Sequence, residues 1–285
     1  MAQIIDGKYV SQQILDKLAQ DVCAESKKPS LTVIIVGEDP ASKIYVNLKK
    51  KKAAQLGFES NVIEMPETTT QEQLLDTIEK LNNDNSVNAV LVQLPLPEHI
   101  NTNEVLEKIS PMKDVDCFHP YNAGQIASGK KPYVYPCTPF GIMTLLDKYN
   151  ISVEGKNAVV VGRSNIVGRP CAQMLLNRNA TITVCHSKTK NLADYTKQAD
   201  ILICAVGCKK LITADMVKDG VVVIDVGMNR TDDGKLCGDV DFENVKEKAS
   251  FITPVPGGVG PMTICSLMKN TYELFKLQNA DDIKD

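Results

Sequence analysis

The 285-residue chain has little of several things that would decide a function class at once. It has no excess of positive charge. Its 32 Lys and Arg stand against 35 Asp and Glu, a formal net charge of -3, so there is no global basic field to hold a nucleic acid. It has only three histidines, His99, His119 and His186, which are far apart and lack ligand spacing, so no metal site is expected. Its nine cysteines include no CxxC pair and read as reduced cytosolic thiols rather than a disulfide framework. No apolar run approaches the roughly 18 residues that a membrane helix needs. The first ten residues lack a basic stretch followed by an apolar core, so no signal peptide is expected and a cytoplasmic location is. What remains, 43% hydrophobic and 24% charged residues, is an ordinary globular composition with room for two medium domains.

Short apolar runs alternate with helical patterns throughout. Strands are expected at 31–36, 61–65 and 89–93 in the first half, with helices at 40–57 and 70–83. In the second half strands are expected at 158–161, 181–185, 201–205 and 221–225, with helices at 166–178 and 262–278. Continuous apolar strands separated by helices imply an α/β fold with parallel sheets covered on both faces. The stretch 119–137, with Gly124, Gly129, Pro132 and Pro136, is the best linker candidate. Thr138 is placed to cap a helix running to about Tyr149, with Pro139 at its first position. Residues 279–285 read as a polar frayed end.

Four consecutive lysines, Lys49 to Lys52, lie within the helix expected at 40–57. At about 100° per residue, with Tyr45 as zero, Leu56 falls at about 20°, Lys49 at about 40°, Ser42 at about 60°, Ala53 at about 80° and Val46 at about 100°. Lys51 falls on the opposite side, and Lys50 and Lys52 flank the apolar arc, where long stems can snorkel. Lys49 alone lies in the middle of the apolar stripe, one turn from Tyr45. Desolvation there would make it a candidate base; the bland alternative is a lysine at a pocket rim reaching solvent.

The strand at 158–161 runs into Gly162-Arg-Ser-Asn-Ile-Val-Gly168 and then a helix, the arrangement of a phosphate site at a helix N-terminus. It is not a standard GxGxxG, because Ser164 stands at the second glycine and the loop is one residue longer. After the next strand, Cys185-His-Ser-Lys-Thr-Lys190 offers no acid for a ribose hydroxyl, while Arg163, Ser187 and two lysines suit a 2′-phosphate. NADP is therefore expected over NAD. The turns at Ala205-Val-Gly-Cys208 and Gly227-Met-Asn229 end the following strands and should line the same crevice. Three further stretches attract attention: Val92-Gln-Leu-Pro-Leu-Pro97, with Gln93 at a strand end; Lys113-Asp-Val-Asp116, whose two carboxylates would share one face if extended; and the glycine- and proline-dense Thr253–Thr263.

Taken in order, Tyr45-x-x-x-Lys49, Val92–Pro97, Lys113–Asp116, Pro136-Cys-Thr-Pro-x-Gly141, Gly162–Gly168 and Pro254-Val-Pro-Gly-Gly-Val-Gly-Pro-Met-Thr263 closely resemble the bifunctional methylenetetrahydrofolate dehydrogenase/cyclohydrolase family over nearly the whole chain. The resemblance implies an N-terminal catalytic domain over 1–138, completed by a C-terminal helix at 264–285. It also implies a Rossmann-like NADP-binding domain over 139–263, a cleft between the two, and a homodimer. It implies oxidation of 5,10-methylenetetrahydrofolate by NADP, then hydrolysis of the methenyl cation to 10-formyltetrahydrofolate, in one-carbon metabolism. Carried over, Lys49 is the key cyclohydrolase group, Gln93 lies beside it, Tyr45 stacks on the folate rings and Asp116 bonds the pterin. Ser42, Leu94, Pro256, Gly257 and Gly260 join the substrate site. Thr138, Gly162, Arg163, Ser164, Ile166, His186, Ser187, Ala205, Val206, Gly207, Met228 and Thr263 join the cofactor site. One departure stands out: the family usually has glycine where this chain has Cys117, which would be strained if the position needs positive φ.

Two other readings stay open on residues alone. A short-chain-type reductase would use Tyr45 and Lys49, although that pair precedes the nucleotide motif here rather than following it. A non-catalytic NADP-binding sensor would bind nucleotide without turnover, and the presence of Lys49, Gln93 and Asp116 together speaks against it.

Overall fold

A computed structural model describes residues 1–281, in two compact units. One unit comprises Ile14–Tyr135 with the C-terminal residues from Leu267, and the other Met1–Gln13 with Pro136–Ser266. Positions 282–285, the end of the expected C-terminal helix and frayed tail, lie outside the described residues.

The Ile14–Tyr135 unit is built on a three-stranded parallel sheet in the order Glu59–Met65, Ser30–Val36, Ala89–Val92. The central strand is buried along its whole length, while the edge strand Glu59–Met65 alternates with solvent, as an uncovered edge should. Ile34, Val36, Val90 and Val92 pack against Leu74 and Ile78 of the helix Gln71–Asn82 and Val105 of the helix Thr102–Lys108. Thr70 and Gln73 form a reciprocal capping box that starts the first of these helices. The helix Pro40–Gln55 starts at Asp39, whose carboxylate accepts the Ser42 amide at 2.7 Å, with Pro40 at a position that needs no amide donor. The last helix, Val259–Asp281, contributes its later residues to this unit. Asn270 donates to the carbonyls of Val115 (2.9 Å) and Tyr135 (2.8 Å), and Gln278 to those of Asn88 and Met112 (both 2.8 Å).

The other unit carries a six-stranded parallel sheet in the order Gln3–Ile4, Phe251–Ile252, Val222–Asp225, Ile201–Cys204, Asn157–Val161, Thr181–Cys185. Strand order reverses at Asn157–Val161: the next strand in sequence lies on one side and the one after it on the other. That is the switch point at which doubly wound sheets open a ligand crevice at the strands' carboxyl ends.

Three expectations need correction. Residues 1–13 belong with the six-stranded sheet, because Gln3–Ile4 pairs with Phe251–Ile252 and the amides of Gln3 and Ile5 donate to Ser250 and Ile252 at 2.8 Å. A two-residue strand has no periodicity to reveal it. The division between units does fall within the proposed 119–137 linker, between Tyr135 and Pro136, but the earlier part of that stretch is not linker: it forms the helix Pro120–Ala127, and Tyr121 stacks on Tyr133 with ring centroids 5.5 Å apart. Thr138 does not cap its helix: Cys137–Lys148 is preceded by Pro136, and the Thr138 hydroxyl instead meets that of Thr263 at 3.0 Å.

Candidate active site

The helix Pro40–Gln55 buries the face that contains Ser42, Val46 and Ala53, with Leu56 just beyond its end. Lys49 is half-buried beside that face, whereas Lys50 and Lys51 are exposed. Its Nζ donates to Gln93 Oε1 at 3.0 Å. Gln93 follows the buried strand Ala89–Val92, and its backbone amide continues the ladder to the Ile34 carbonyl at 2.8 Å. Its Nε2 donates to the Leu94 carbonyl at 2.7 Å, which leaves the amide oxygen turned to Lys49; the Leu94–Pro95 peptide is cis. The half-buried Tyr45 stands one turn before Lys49. Ser42 is 4% exposed, and its amide is engaged by Asp39.

The Lys113–Asp116 stretch divides its labour. Lys113 is buried, and its ammonium donates to the carbonyls of Leu81 (2.8 Å), in the last turn of the helix Gln71–Asn82, and Asp84 (2.7 Å), just after it, with burial lowering its pKa. Asp114 is also buried. Its Oδ2 accepts the His119 amide at 2.8 Å and Asn122 Nδ2 at 3.3 Å. Burial nevertheless raises its pKa to about 6 against those bonds. The two carboxylates therefore do not share one environment: Asp114 is turned into the unit and Asp116 is half-exposed. Between Asp116 and the next turn, Cys117 adopts φ +62°, the left-handed conformation that the usual glycine would take without strain.

In the other unit, the Gly162–Gly168 turn joins the strand Asn157–Val161 to the helix Gly168–Leu176. A Cβ at Gly162, whose φ is +129°, would come 2.2 Å from the Ala205 carbonyl oxygen, and one at Gly168 would come 2.2 Å from that of Gly162. Ser164 accepts the amides of Val167 (3.2 Å) and Gly168 (3.3 Å) through its hydroxyl, so these two amides are not free as the phosphate-site reading assumed. Arg163, Ser164 and Ile166 are exposed. After the next strand, His186 donates its amide to Thr189 Oγ1 (2.9 Å) and accepts the Lys188 amide on Nδ1 (3.1 Å), a turn that leaves Ser187 exposed. Ala205, Val206, Gly207 and Met228 follow the two succeeding strands. The loop with Pro256 and Gly257 lies in this unit too, as does Gly260 in the first turn of the helix Val259–Asp281, while Tyr45, Lys49, Gln93, Leu94 and Asp116 lie in the other. Gly257 adopts φ +107° and its carbonyl accepts the Lys8 amide at 3.0 Å. A Cβ at Gly7 would come 1.8 Å from the Gly258 carbonyl oxygen, so this loop packs directly on the N-terminal backbone.

Residues 5–116 match the Tetrahydrofolate dehydrogenase/cyclohydrolase, catalytic domain, and residues 136–279 match the Tetrahydrofolate dehydrogenase/cyclohydrolase, NAD(P)-binding domain. The chain belongs to the tetrahydrofolate dehydrogenase/cyclohydrolase family. It is 52% identical to the bifunctional protein FolD of Listeria innocua, covering 97% of this chain and 98% of that one. The crystal structure of the bifunctional FolD methylenetetrahydrofolate dehydrogenase/cyclohydrolase from Campylobacter jejuni superposes with a TM-score of 0.96 at 51% identity, covering 97% and 99% of the two chains. That of the Trypanosoma brucei FolD, complexed with NADP cofactor and inhibitor, gives 0.92 at 39% identity, covering 97% and 98%.

In this tetrahydrofolate dehydrogenase/cyclohydrolase chain the donor set at the strand ends fits a phosphorylated nucleotide. Arg163, Ser187, Lys188 and Lys190 supply cations and a hydroxyl, and positions 186–190 hold no carboxylate. Sequence reasoning missed two residues beneath these loops, the buried Asp225 and Asp239. Asp239 Oδ2 accepts the amides of Val206 (2.7 Å) and Gly207 (3.1 Å), and its Oδ1 accepts the Cys208 amide and Asn229 Nδ2 (both 2.9 Å). Asp225 in turn accepts the amides of Gly227 (2.9 Å), Asp239 (3.0 Å) and Val240 (2.9 Å). Burial raises the Asp225 pKa to about 6. The sequence signal was the glycines beside them: a Cβ at Gly227 would sit 2.3 Å from Asp239 Oδ1, and one at Gly238 would sit 1.8 Å from Asp225 Oδ2.

Proposed function

We propose that this chain oxidises 5,10-methylenetetrahydrofolate with NADP and hydrolyses the methenyl product to 10-formyltetrahydrofolate. The observation that carries the reading is the Lys49–Gln93 pair, 3.0 Å apart in a chain of this family. When bound, NADP supplies the hydride acceptor for the first step.

On this reading Arg163 and Ser187 hold the 2′-phosphate and the Gly162–Gly168 turn admits the pyrophosphate. Tyr45 offers its ring for stacking on the planar part of the folate, and the Asp116 carboxylate accepts from the amino and ring nitrogen donors of the pterin. In the second step the methenyl carbon takes up water. Lys49 Nζ takes a proton from that water as the carbon–oxygen bond forms. That proton passes from Nζ to N5 as the carbon–N5 bond breaks with its electron pair staying on nitrogen, and the remaining hydroxyl proton leaves to solvent as the carbon–oxygen double bond forms, leaving the formyl group on N10. The amide oxygen of Gln93, fixed by the bond from its Nε2 to Leu94, keeps Nζ pointed at the reacting atoms.

The purified protein should form the methenyl compound from 5,10-methylenetetrahydrofolate with NADP, and weakly or not at all with NAD. It should also accelerate decay of added methenyl compound. Lys49→Met should lower that decay by about 10²- to 10⁴-fold while NADP binding persists. Near wild-type hydrolysis in this variant would remove Lys49 from the mechanism. The reading also takes the chain to be a cytoplasmic homodimer. No helix among the described residues is long and apolar enough to cross a membrane, and sedimentation of the purified protein tests the dimer.

A further inference from the structure

The loop Ala205–Cys208 is a poor candidate for spontaneous order. Val206, Gly207 and Cys208 are exposed, and Gly207 sits at φ +67° with nothing within 4 Å of where a Cβ would stand. Its shape comes from below. Three successive backbone amides, of Val206, Gly207 and Cys208, converge on the one carboxylate of Asp239, which is 0% exposed. Three convergent amides make an anion-binding concavity, filled here by the protein's own side chain. The fourth donor, Asn229 Nδ2, extends the same carboxylate to the loop that carries Met228. All four bonds are donated to an acceptor that has no hydrogen of its own to offer, so a neutral amide of the same shape would set an NH₂ group against N–H donors.

We infer that Asp239 is a positioning residue for the nucleotide: it preorganises the 205–208 and 228–229 loops, so that the cofactor does not bear the cost of ordering them. The inference rests on the reading that these loops touch NADP. It separates from plain structural support by its kinetic signature. Loss of folded protein lowers kcat and leaves KM alone, whereas a loop that must be ordered by its ligand raises KM for that ligand and spares kcat at saturation.

The test is Asp239→Asn in the full chain. KM for NADP should rise about tenfold or more, because two of the four charge-assisted bonds are lost whichever way the amide turns. The kcat at saturating NADP should stay within about twofold, and hydrolysis of added methenyl compound, which needs no nucleotide, should be unchanged. Hydrogen exchange at the Val206–Cys208 amides should accelerate in the free variant and slow again with NADP. Asn229→Ala, which removes one donor and leaves the carboxylate, should raise KM by about two- to threefold, and it decides the matter if the first variant does not fold. An unchanged KM with a lowered kcat in either folded variant would overturn the inference. Wild-type protein that fails to bind NADP would instead overturn the parent reading, and it is measured first.

Discussion

Glycine and alanine at position 117 should rank in the reverse of their ordinary order. Cys117 holds φ +62° and is 2% exposed. A Cβ in the left-handed region costs roughly 1–2 kcal/mol, and glycine escapes that cost. Glycine gives back roughly 0.5–1 kcal/mol through the greater freedom of its unfolded chain. Cys117→Gly should therefore be more stable than Cys117→Ala by about 0.5–1 kcal/mol, although both lose the same buried sulfur. That loss costs on the order of 1 kcal/mol, so alanine falls below wild type and glycine lies close to it. Equilibrium urea unfolding resolves the difference as a midpoint shift of about 0.3–0.5 M. The loop continues into Asp116, so the glycine variant should also keep its KM for 5,10-methylenetetrahydrofolate. An alanine variant as stable as the glycine variant would refute the strain argument and with it the idea that Cys117 sits where glycine is preferred.

Other consequences can be checked directly. Gln93→Ala should lower methenyl hydrolysis by about tenfold or more, because Nζ of Lys49 loses its aligned partner; steady-state decay of the methenyl compound measures it. Arg163→Ala should raise KM for NADP far more than KM for NAD, and an equal loss with both would show that Arg163 does not read the 2′-phosphate. The stability of wild type relative to Asp114→Asn should depend on pH. The folded carboxyl titrates at about 6 and the unfolded one near 3.8. The folded state thus holds the extra proton between those values, and wild type loses relative stability as pH rises from about 4 to above 6. Urea midpoints of both proteins across that window test it, and a wild type whose stability relative to the variant stays constant or grows with pH would refute the assignment.

Much of the fold was legible because it is written locally. Val33–Val36, Ala89–Val92 and Ile201–Cys204 are unbroken apolar runs, and buried parallel strands demand that pattern. Lys49 was legible for a related reason: a helical wheel already separates one lysine from three, and the structure places that one against Gln93. What stayed hidden depends on partners distant in sequence. Gln3–Ile4 is a strand only because Phe251–Ile252 lies beside it. Asp225 reads only as the end of a strand and Asp239 only as a loop acid until the amides that converge on them are seen. Lys113 is buried, and the two backbone carbonyls that accept from it lie 32 and 29 residues away in sequence. Thr138 carried the composition of a helix cap, but a hydroxyl from 125 residues away took its bond.

The arrangement of thiols has a practical side. Six of the nine cysteines are buried, and burial pushes the Cys171, Cys185 and Cys204 thiols away from the reactive thiolate, Cys171 to about 12. Cys23 and Cys208 are exposed. With Cys23 replaced by serine, a maleimide dye would react fastest at Cys208, on the same loop whose amides Asp239 gathers. The chain thus carries a native attachment point for a fluorophore that reports, without any engineered cysteine, when that loop is occupied.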